Sequence, residues 1–340
     1  MIKGYSDVFG GQLIPNEPHR DLEEMKMKIA AVQMKAILGD VDANLKKARS
    51  LAGEAFRSGA EWVILPEFFT SATGFHQKMS HAALPLNGPA MEMLRSLASA
   101  HGGVAGGSYI AWNGHDCFNT FVLAMPDGAV QLHNKDLPTM WENCYYVSGS
   151  DEGILETPSC KVGVALCWEF VRSMTARRLL NRVDLVIGGS CWWTLPEKWL
   201  PGFPRRLHHQ NLEIMKATIP RFARMLGVPV VHASHAGDFE CALPLLPGFP
   251  YRSYFLGETQ IVDGSGNQLA HMSREDGEGF IMAELELTRK LPASEKIPET
   301  FWIPDLPWQF KMIWAYQNWH GKRYYRKNIR PAMQERFAGL

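Results

Sequence analysis

Long apolar runs are missing from this chain. No stretch reaches the roughly 18 residues that a membrane-spanning helix needs, and residues 1–26 hold no unbroken apolar segment of the secretory kind. We therefore expect no membrane partner and a cytoplasmic location. An excess of charge of one sign is missing too, since 35 basic residues balance 35 acidic ones. Without a net field, nucleic acid is not an expected partner, and a small molecule fits better. Paired cysteines are a third absence: Cys117, Cys144, Cys160, Cys167, Cys191 and Cys241 fall at irregular spacings with no CxxC. That excludes a disulfide scaffold and leaves mostly buried, reduced thiols. The Gly-rich pieces AGGSY and GSGN lack the residues that turn such loops into phosphate cradles. No Pro/Gly/Ser-rich linker divides the 340 residues, so one continuous core is expected.

What is present is a succession of short apolar runs alternating with amphipathic segments. KIAAVQM (28–34) reads as a buried strand, residues 42–58 as a helix, and EWVILPE as the next strand. A second helix is predicted from Gly88 to His101, followed by GVAGGSYIAW and NTFVLAM as strands. The Pro126-Asp127-Gly128 turn should join NTFVLAM to AVQLHNK in a hairpin, which makes the sheet mixed. Further on, KVGVALC (161–167) and DLVIGGS (184–190) read as strands around a short helix at residues 175–182. A long helix at 206–226 contains Pro220, which should kink it or start a new helix. VPVVHAS, GETQIVD, NQLAHM and GFIMAEL complete the strands, so the fold class is α/β. From Glu299 the chain becomes dense in Trp, Tyr and Arg, the composition of a segment that packs on the body or across a subunit interface.

Three of the strand-like runs end at or beside a reactive residue: Glu67, Lys135 and Cys167. A thiol is a strong nucleophile as thiolate, so it needs a base or a cation nearby to lower its pKa. Lys135 can supply the cation and Glu67 can carry protons. Taken singly, each has a plainer reading, a buried structural cysteine and solvated charges at strand ends. A competing cluster lies in HASHAGDFEC, where His232, His235, Asp238, Glu240 and Cys241 come close in sequence. Its H-x-x-H spacing matches neither a helical metalloprotease nor a finger, and on a strand His232 and His235 point to opposite faces. We expect this stretch to be a loop near the pocket mouth, with no metal and no cofactor.

Taken in order, LPEFF, KDLPTMWE and GVALCWEF resemble the motifs of the nitrilase, or carbon-nitrogen hydrolase, superfamily, and the likeness runs from KIAAVQM to GFIMAEL. The resemblance implies Glu67 as base, Lys135 as the lysine, Cys167 as nucleophile, and Glu142, seven residues beyond Lys135, as the carboxylate that orients it. The backbone N–H of Trp168 would join Lys135 in stabilising the oxyanion. Implied as well are a four-layer α-β-β-α sandwich and a homodimer or higher homo-oligomer with a C-terminal arm. The expected division is an N-terminal extension at 1–26, the carbon-nitrogen hydrolase domain at 27–298 and the arm at 299–340.

Amide and nitrile hydrolysis share these four residues, so the expected substrate is a small amide, with a nitrile as the alternative. A catalytically silent, small-molecule-binding relative is the non-enzyme alternative. Cys-Trp-Glu at 167–169 looks like the nitrilase branch, but Phe170 and Val171 depart from it, leaving the branch open. Trp141, Tyr145, Trp168, Trp192 and Trp193 adjoin the reactive segments and are the candidates for a partly apolar substrate pocket. Arg172 and Arg177 are the candidates for binding a substrate carboxylate.

Overall fold

The structure, a computed structural model, describes residues 26–194, 206–244, 248, 250–287, 291–299 and 308–339. The expected N-terminal extension, apart from its last residue, and positions 300–307 of the expected arm lie outside the described residues. Strand β1 (Lys26–Met34) is followed by α1 (Val41–Arg57), β2 (Trp62–Ile64), β3 (Leu84–Pro85), α2 (Pro89–His101), β4 (Val104–Trp112), β5 (Cys117–Ala124) and β6 (Val130–Asn134). Then come β7 (Ile154–Glu156), β8 (Lys161–Leu166), α3 (Ser173–Leu179), β9 (Leu185–Ser190) and α4 (Arg206–Leu226). Strands β10 (Val230–Ala242), β11 (Pro250–Val262), β12 (Gln268–Ser273) and β13 (Gly279–Glu286) precede α5 (Trp308–Tyr324) and α6 (Arg330–Arg336).

Parity along the strands explains the layers. In β1, Ile29 and Ala31 face a central cluster that also holds Val162, Val164 and Leu166 of β8 and Ile187 of β9. Their neighbours Ala30, Val32 and Met34 face the other way, against Ala48, Ala52 and Phe56 of α1 and Leu94 and Leu97 of α2. On the far side, Ala165 packs with Leu179 of α3 and with Met215, Ile219 and Phe222 of α4. Two β-layers therefore share one core and each carries its own helices, the expected α-β-β-α sandwich. The halves are also joined by hydrogen bonds, because the end of β1 pairs in parallel with β10 at Gln33 and Ser234. The mixed character comes from the antiparallel β4-β5-β6 meander and from β13 lying antiparallel on β1.

Several local expectations change in detail. Residues 232–241 are not a loop: they continue β10, held by antiparallel pairing with β11 from Val230 to Ala242. Helix α3 lies at 173–179 rather than 175–182, because Asn181 takes a left-handed φ of 61° just past its end. Pro220 does not start a new helix: it lies inside α4, which runs unbroken over Arg206–Leu226. It cannot donate to the carbonyl of Lys216, and the Gln260 side chain donates to that oxygen instead, at 3.4 Å. The C-terminal helices lie on their own chain. Asn318 pairs with Asn143 at 3.0 Å, the Tyr325 hydroxyl accepts from the Cys117 amide at 2.7 Å, and Trp314 meets Trp168 edge to face at 4.6 Å. Among the described residues no helix is long and apolar enough to cross a membrane.

The dipeptide Gly188-Gly189, just before the last residue of β9, lets neighbouring segments approach closely. A Cβ at position 188 would stand 1.8 Å from the Ala165 carbonyl oxygen, and one at position 189 would stand 3.0 Å from the Glu67 nitrogen. Because backbone atoms of β8 and of the loop after β2 cannot yield like a flexible side chain, Gly188→Ala should destabilise by about 1–3 kcal/mol or more. Denaturant unfolding checks this, and an unchanged midpoint would refute the close approach.

Candidate active site

Three chain segments leave their strands at the same end of the sandwich, and each is bent there. After β2 the chain passes Pro66 to Glu67, and the next residue, Phe68, has a φ of 52°. After β6 comes Lys135, whose amide still pairs with the Asn119 carbonyl at 2.9 Å. After β8 comes Cys167, itself at a φ of 52°, opening a 3-10 turn over Cys167–Val171. A left-handed non-glycine residue costs on the order of 1–3 kcal/mol and persists where surrounding contacts over-determine it. The sharp turn lifts the Cys167 side chain out of the strand row, as strand-to-helix nucleophile turns do.

The carboxylates and the ammonium are fully buried and bonded to one another. Glu67 Oε1 accepts from Lys135 Nζ and from Asn119 Nδ2, both at 2.8 Å, and Oε2 accepts from the Cys191 amide at 2.9 Å. The Glu67 carbonyl accepts from His235 Nε2 at 2.7 Å, so main chain and side chain are both held. Lys135 gives a second bond to Glu142 Oε2 at 2.8 Å, which leaves one of its three N–H bonds for another acceptor. Glu142 sits on a 3-10 turn over Met140–Cys144, where its Oε2 also accepts from the Thr139 amide at 2.9 Å and from the Tyr146 hydroxyl. A ligating atom of Cys167 and one from each carboxylate lie within 4.8 Å of one another. Three such groups resemble a metal site, but the Lys135 ammonium already supplies a cation between the two carboxylates.

Burial decides the proton affinities. It raises the Glu67 carboxyl to about 7, against the opposing pull of Lys135 and with help from Glu142. Burial also pushes the Cys167 thiol well above its ordinary range, and Glu67 adds to this while Lys135 opposes it. The expectation that a nearby cation depresses the thiol is thus corrected: the ammonium is offset by two carboxylates. Burial disfavours the charged form of Lys135 as well, but Glu142 and Glu67 outweigh it and hold the ammonium protonated.

Glu67, Lys135, Glu142 and Cys167 therefore converge, as expected from the sequence. The aromatic candidates separate into groups. Trp141 stacks on Trp193 at 4.4 Å, and Trp168, whose amide follows the nucleophile, tilts against Trp192 at 5.5 Å. Tyr145 donates its hydroxyl to the carbonyl of Gly74 at 3.0 Å and shares a buried cluster with Trp141 and Trp193. Arg172 is engaged by Asp136 and the Leu137 carbonyl, and Arg177 by the Pro298 carbonyl, so both guanidinium groups already have partners. His232 and His235 indeed diverge, the first bonding Ser190 Oγ at 2.8 Å and the second reaching Glu67. Sequence reasoning missed Asn119, although period two places it in the inward row of Phe121 and Leu123. It missed the Cys191 amide for lack of any signal, since any residue carries an N–H.

The family model for carbon-nitrogen hydrolases matches residues 28–290. Nitrilase 3 of Arabidopsis thaliana is 29% identical over 164 residues, covering 42% of this chain and 47% of that protein. An omega-amidase of Danio rerio is 31% identical over 157 residues, 42% of this chain and 55% of that protein. The chain thus spans about half the length of the first curated relatives it matches. An aliphatic nitrilase of Rhodococcus rhodochrous is similar over more of the chain, 25% identical with 77% and 75% covered. Among solved structures, a carbon-nitrogen hydrolase of Helicobacter pylori G27 shares the fold at a TM-score of 0.66 and 19% identity, with 77% and 89% covered. An amidase of Nesterenkonia does so at 0.60 and 19%, with 76% and 90% covered.

The raised Glu67 carboxyl makes stability depend on pH. Between its ordinary value of 4.5 and about 7 the folded state binds more of this proton than the unfolded chain does. The contribution is therefore complete below pH 4.5 and is lost as pH rises through about 7. Denaturant unfolding of the wild type, referenced to Glu67→Gln, should fall by on the order of 3 kcal/mol across that window. A difference that stays level or rises with pH would contradict the assignment.

Proposed function

Because the chain belongs to the carbon-nitrogen hydrolase family, we propose that it hydrolyses a small amide to a carboxylate and ammonia through a thioester on Cys167. The observation that carries this reading is the approach of Cys167 and two buried carboxylates to within 4.8 Å around a buried ammonium. Cys167 Sγ attacks the carbonyl carbon while its proton passes to Glu67. Charge that develops on the carbonyl oxygen is met by the remaining Lys135 N–H and by the Trp168 amide. Glu67 then gives its proton to the departing nitrogen, and ammonia leaves. Water attacks the thioester, again losing a proton to Glu67, and collapse of the adduct returns a proton to sulfur and frees the acid. Glu142 keeps Lys135 charged and aimed.

Similarity to the Rhodococcus aliphatic nitrilase over 77% of the chain favours a second reading, a nitrile substrate. The same attack would then give a thioimidate, whose hydration and loss of ammonia lead to the same thioester. The paired tryptophans Trp141 with Trp193 and Trp168 with Trp192 support an acyl group with apolar surface.

Ammonia release from a panel of small amides, nitriles and N-carbamoyl compounds tests these readings. Cys167→Ala should reduce release to the uncatalysed level, and equal rates from both proteins would sink the mechanism. Since Glu67 must be ionised to take the thiol proton, kcat/KM should rise with pH through an acid limb near 7. Glu67→Gln should lower kcat by about 100-fold or more. A wild-type profile with no acid limb in that region would remove Glu67 as the base.

A further inference from the structure

Beneath the nucleophile turn lies a second buried charge cluster that the chemistry above does not use. Its centre is Glu169, two residues after Cys167 and without solvent contact. One carboxylate oxygen accepts from the Leu166 amide at 2.9 Å, and the other accepts from the Asp136 amide at 3.0 Å. Leu166 immediately precedes the nucleophile, and Asp136 immediately follows Lys135. His133 Nε2 reaches the same carboxylate at 3.1 Å, and Arg178 stands 3.5 Å from it. The other imidazole nitrogen of His133 meets Asp151, whose second oxygen accepts from the Asn134 amide at 2.8 Å. Main-chain N–H groups on both sides of Lys135 are thus held by buried or half-buried carboxylates, and one of those carboxylates also holds the approach to Cys167. The Glu169 carboxylate bridges two segments that carry reactive groups, capping the turn that opens with Cys167 through the Leu166 amide at the end of β8 and holding the Asp136 amide next to Lys135.

We propose that Glu169 is a positioning residue that fixes the spacing of the Cys167 thiol and the Lys135 ammonium, acting through the Leu166 and Asp136 amides with His133 as its charged partner. The proposal rests on Cys167 being the nucleophile. Charge supports it: burial works against a protonated His133, but Glu169 and Asp151 outweigh it and raise the imidazole to about 9. Burial likewise opposes ionisation of Glu169, but His133 and Arg178 hold its carboxyl well below the usual carboxylate range.

Glu169→Gln tests the clamp directly. An amide has one acceptor oxygen and one donor nitrogen, so whichever way it turns, one of the two main-chain N–H groups faces a donor and one loop is released. Glu169→Asp keeps the charge and shortens the reach by one methylene. We expect Glu169→Gln to melt cooperatively, to lose about 100-fold in kcat with KM changed by less than about threefold, and to alkylate Cys167 with iodoacetamide correspondingly slowly. Glu169→Asp should recover part of both rates. Wild-type kcat and wild-type alkylation of Cys167 in folded Glu169→Gln would overturn the proposal. If that variant does not fold, His133→Gln decides, with lowered kcat at unchanged KM in support and wild-type kcat against. Failure of both to fold would overturn the proposal in favour of a purely structural cluster. An active Cys167→Ala would instead sink the nucleophile itself, whereas an inactive one beside a fully active Glu169→Gln sinks only the positioning role.

Discussion

Lys135 places its ammonium between the Glu67 and Glu142 carboxylates, and none of the three side chains touches solvent. Charges taken out of water this way are costly, and the attraction between them compensates only when every partner is present at hydrogen-bond distance. Omitting the cation would leave two carboxylates facing each other in the core, and breaking such a pair costs about 3–5 kcal/mol. The surrounding donors follow from that constraint. Asn119 and the Cys191 amide complete Glu67, while the Thr139 amide and the Tyr146 hydroxyl join Lys135 on Oε2 of Glu142, whose buried Oε1 has no hydrogen-bond partner. The ion triad thus draws on β5, on the segment after β9 and on the turn at 140–144 at once, and it fixes how those segments sit.

Meeting that constraint requires backbone conformations that a regular sheet would not adopt. Phe68, Met140 and Cys167 take positive φ on the three segments that carry Glu67, Glu142 and the thiol. Each is unfavourable by itself, and each lies where surrounding bonds hold the chain: His235 on the Glu67 carbonyl, the capping interactions of Glu142, and Glu169 on the Leu166 amide. The glycine pair near the end of β9 contributes by omission, since the missing side chain of Gly189 lets the loop after β2 rest against the sheet. Strain, close approach and buried charge therefore occur together at one end of the sandwich.

The sequence carried more of the site than of its support. WVILPE, AVQLHNK and VGVALC showed where buried strands stop, because apolar runs end where the chain leaves the core, and the reactive residues stand at those ends. The four layers came from resemblance, and the alternation of Ile29 and Ala31 with Ala30 and Val32 accounts for them physically. Less legible was residue-level pairing over long separations. The stretch 232–241 looked like a loop because its polar residues and Gly237 break the apolar pattern, yet pairing with β11 keeps it extended. Pro220 pointed to a kink or a new helix start, and nothing local reveals that Gln260 will satisfy the Lys216 carbonyl. Main-chain donors such as the Cys191 amide leave no trace in side-chain identity, whereas Asn119 was within reach of the alternation of β5.

The resting thiol bears on how attack can proceed. Burial and the neighbouring carboxylates disfavour a thiolate at Cys167, which works against a preformed Cys–Lys ion pair. In the proposed reaction the proton would then leave as the sulfur–carbon bond forms, with Glu67, poised near 7, as its acceptor. Charge balance then explains why the triad is built with two carboxylates and one cation. Before attack the cluster holds one net negative charge, on Glu67, Lys135 and Glu142 together. If Glu67 takes the thiol proton as proposed, that negative charge disappears from its carboxylate and reappears on the substrate oxygen beside Lys135. In that proposed step the buried site would gain no charge; it would move one already present toward donors set in place beforehand. Electrostatic preorganisation of this kind lowers a barrier without renewed desolvation, and it requires that the separation of thiol, carboxylate and ammonium be fixed before substrate arrives.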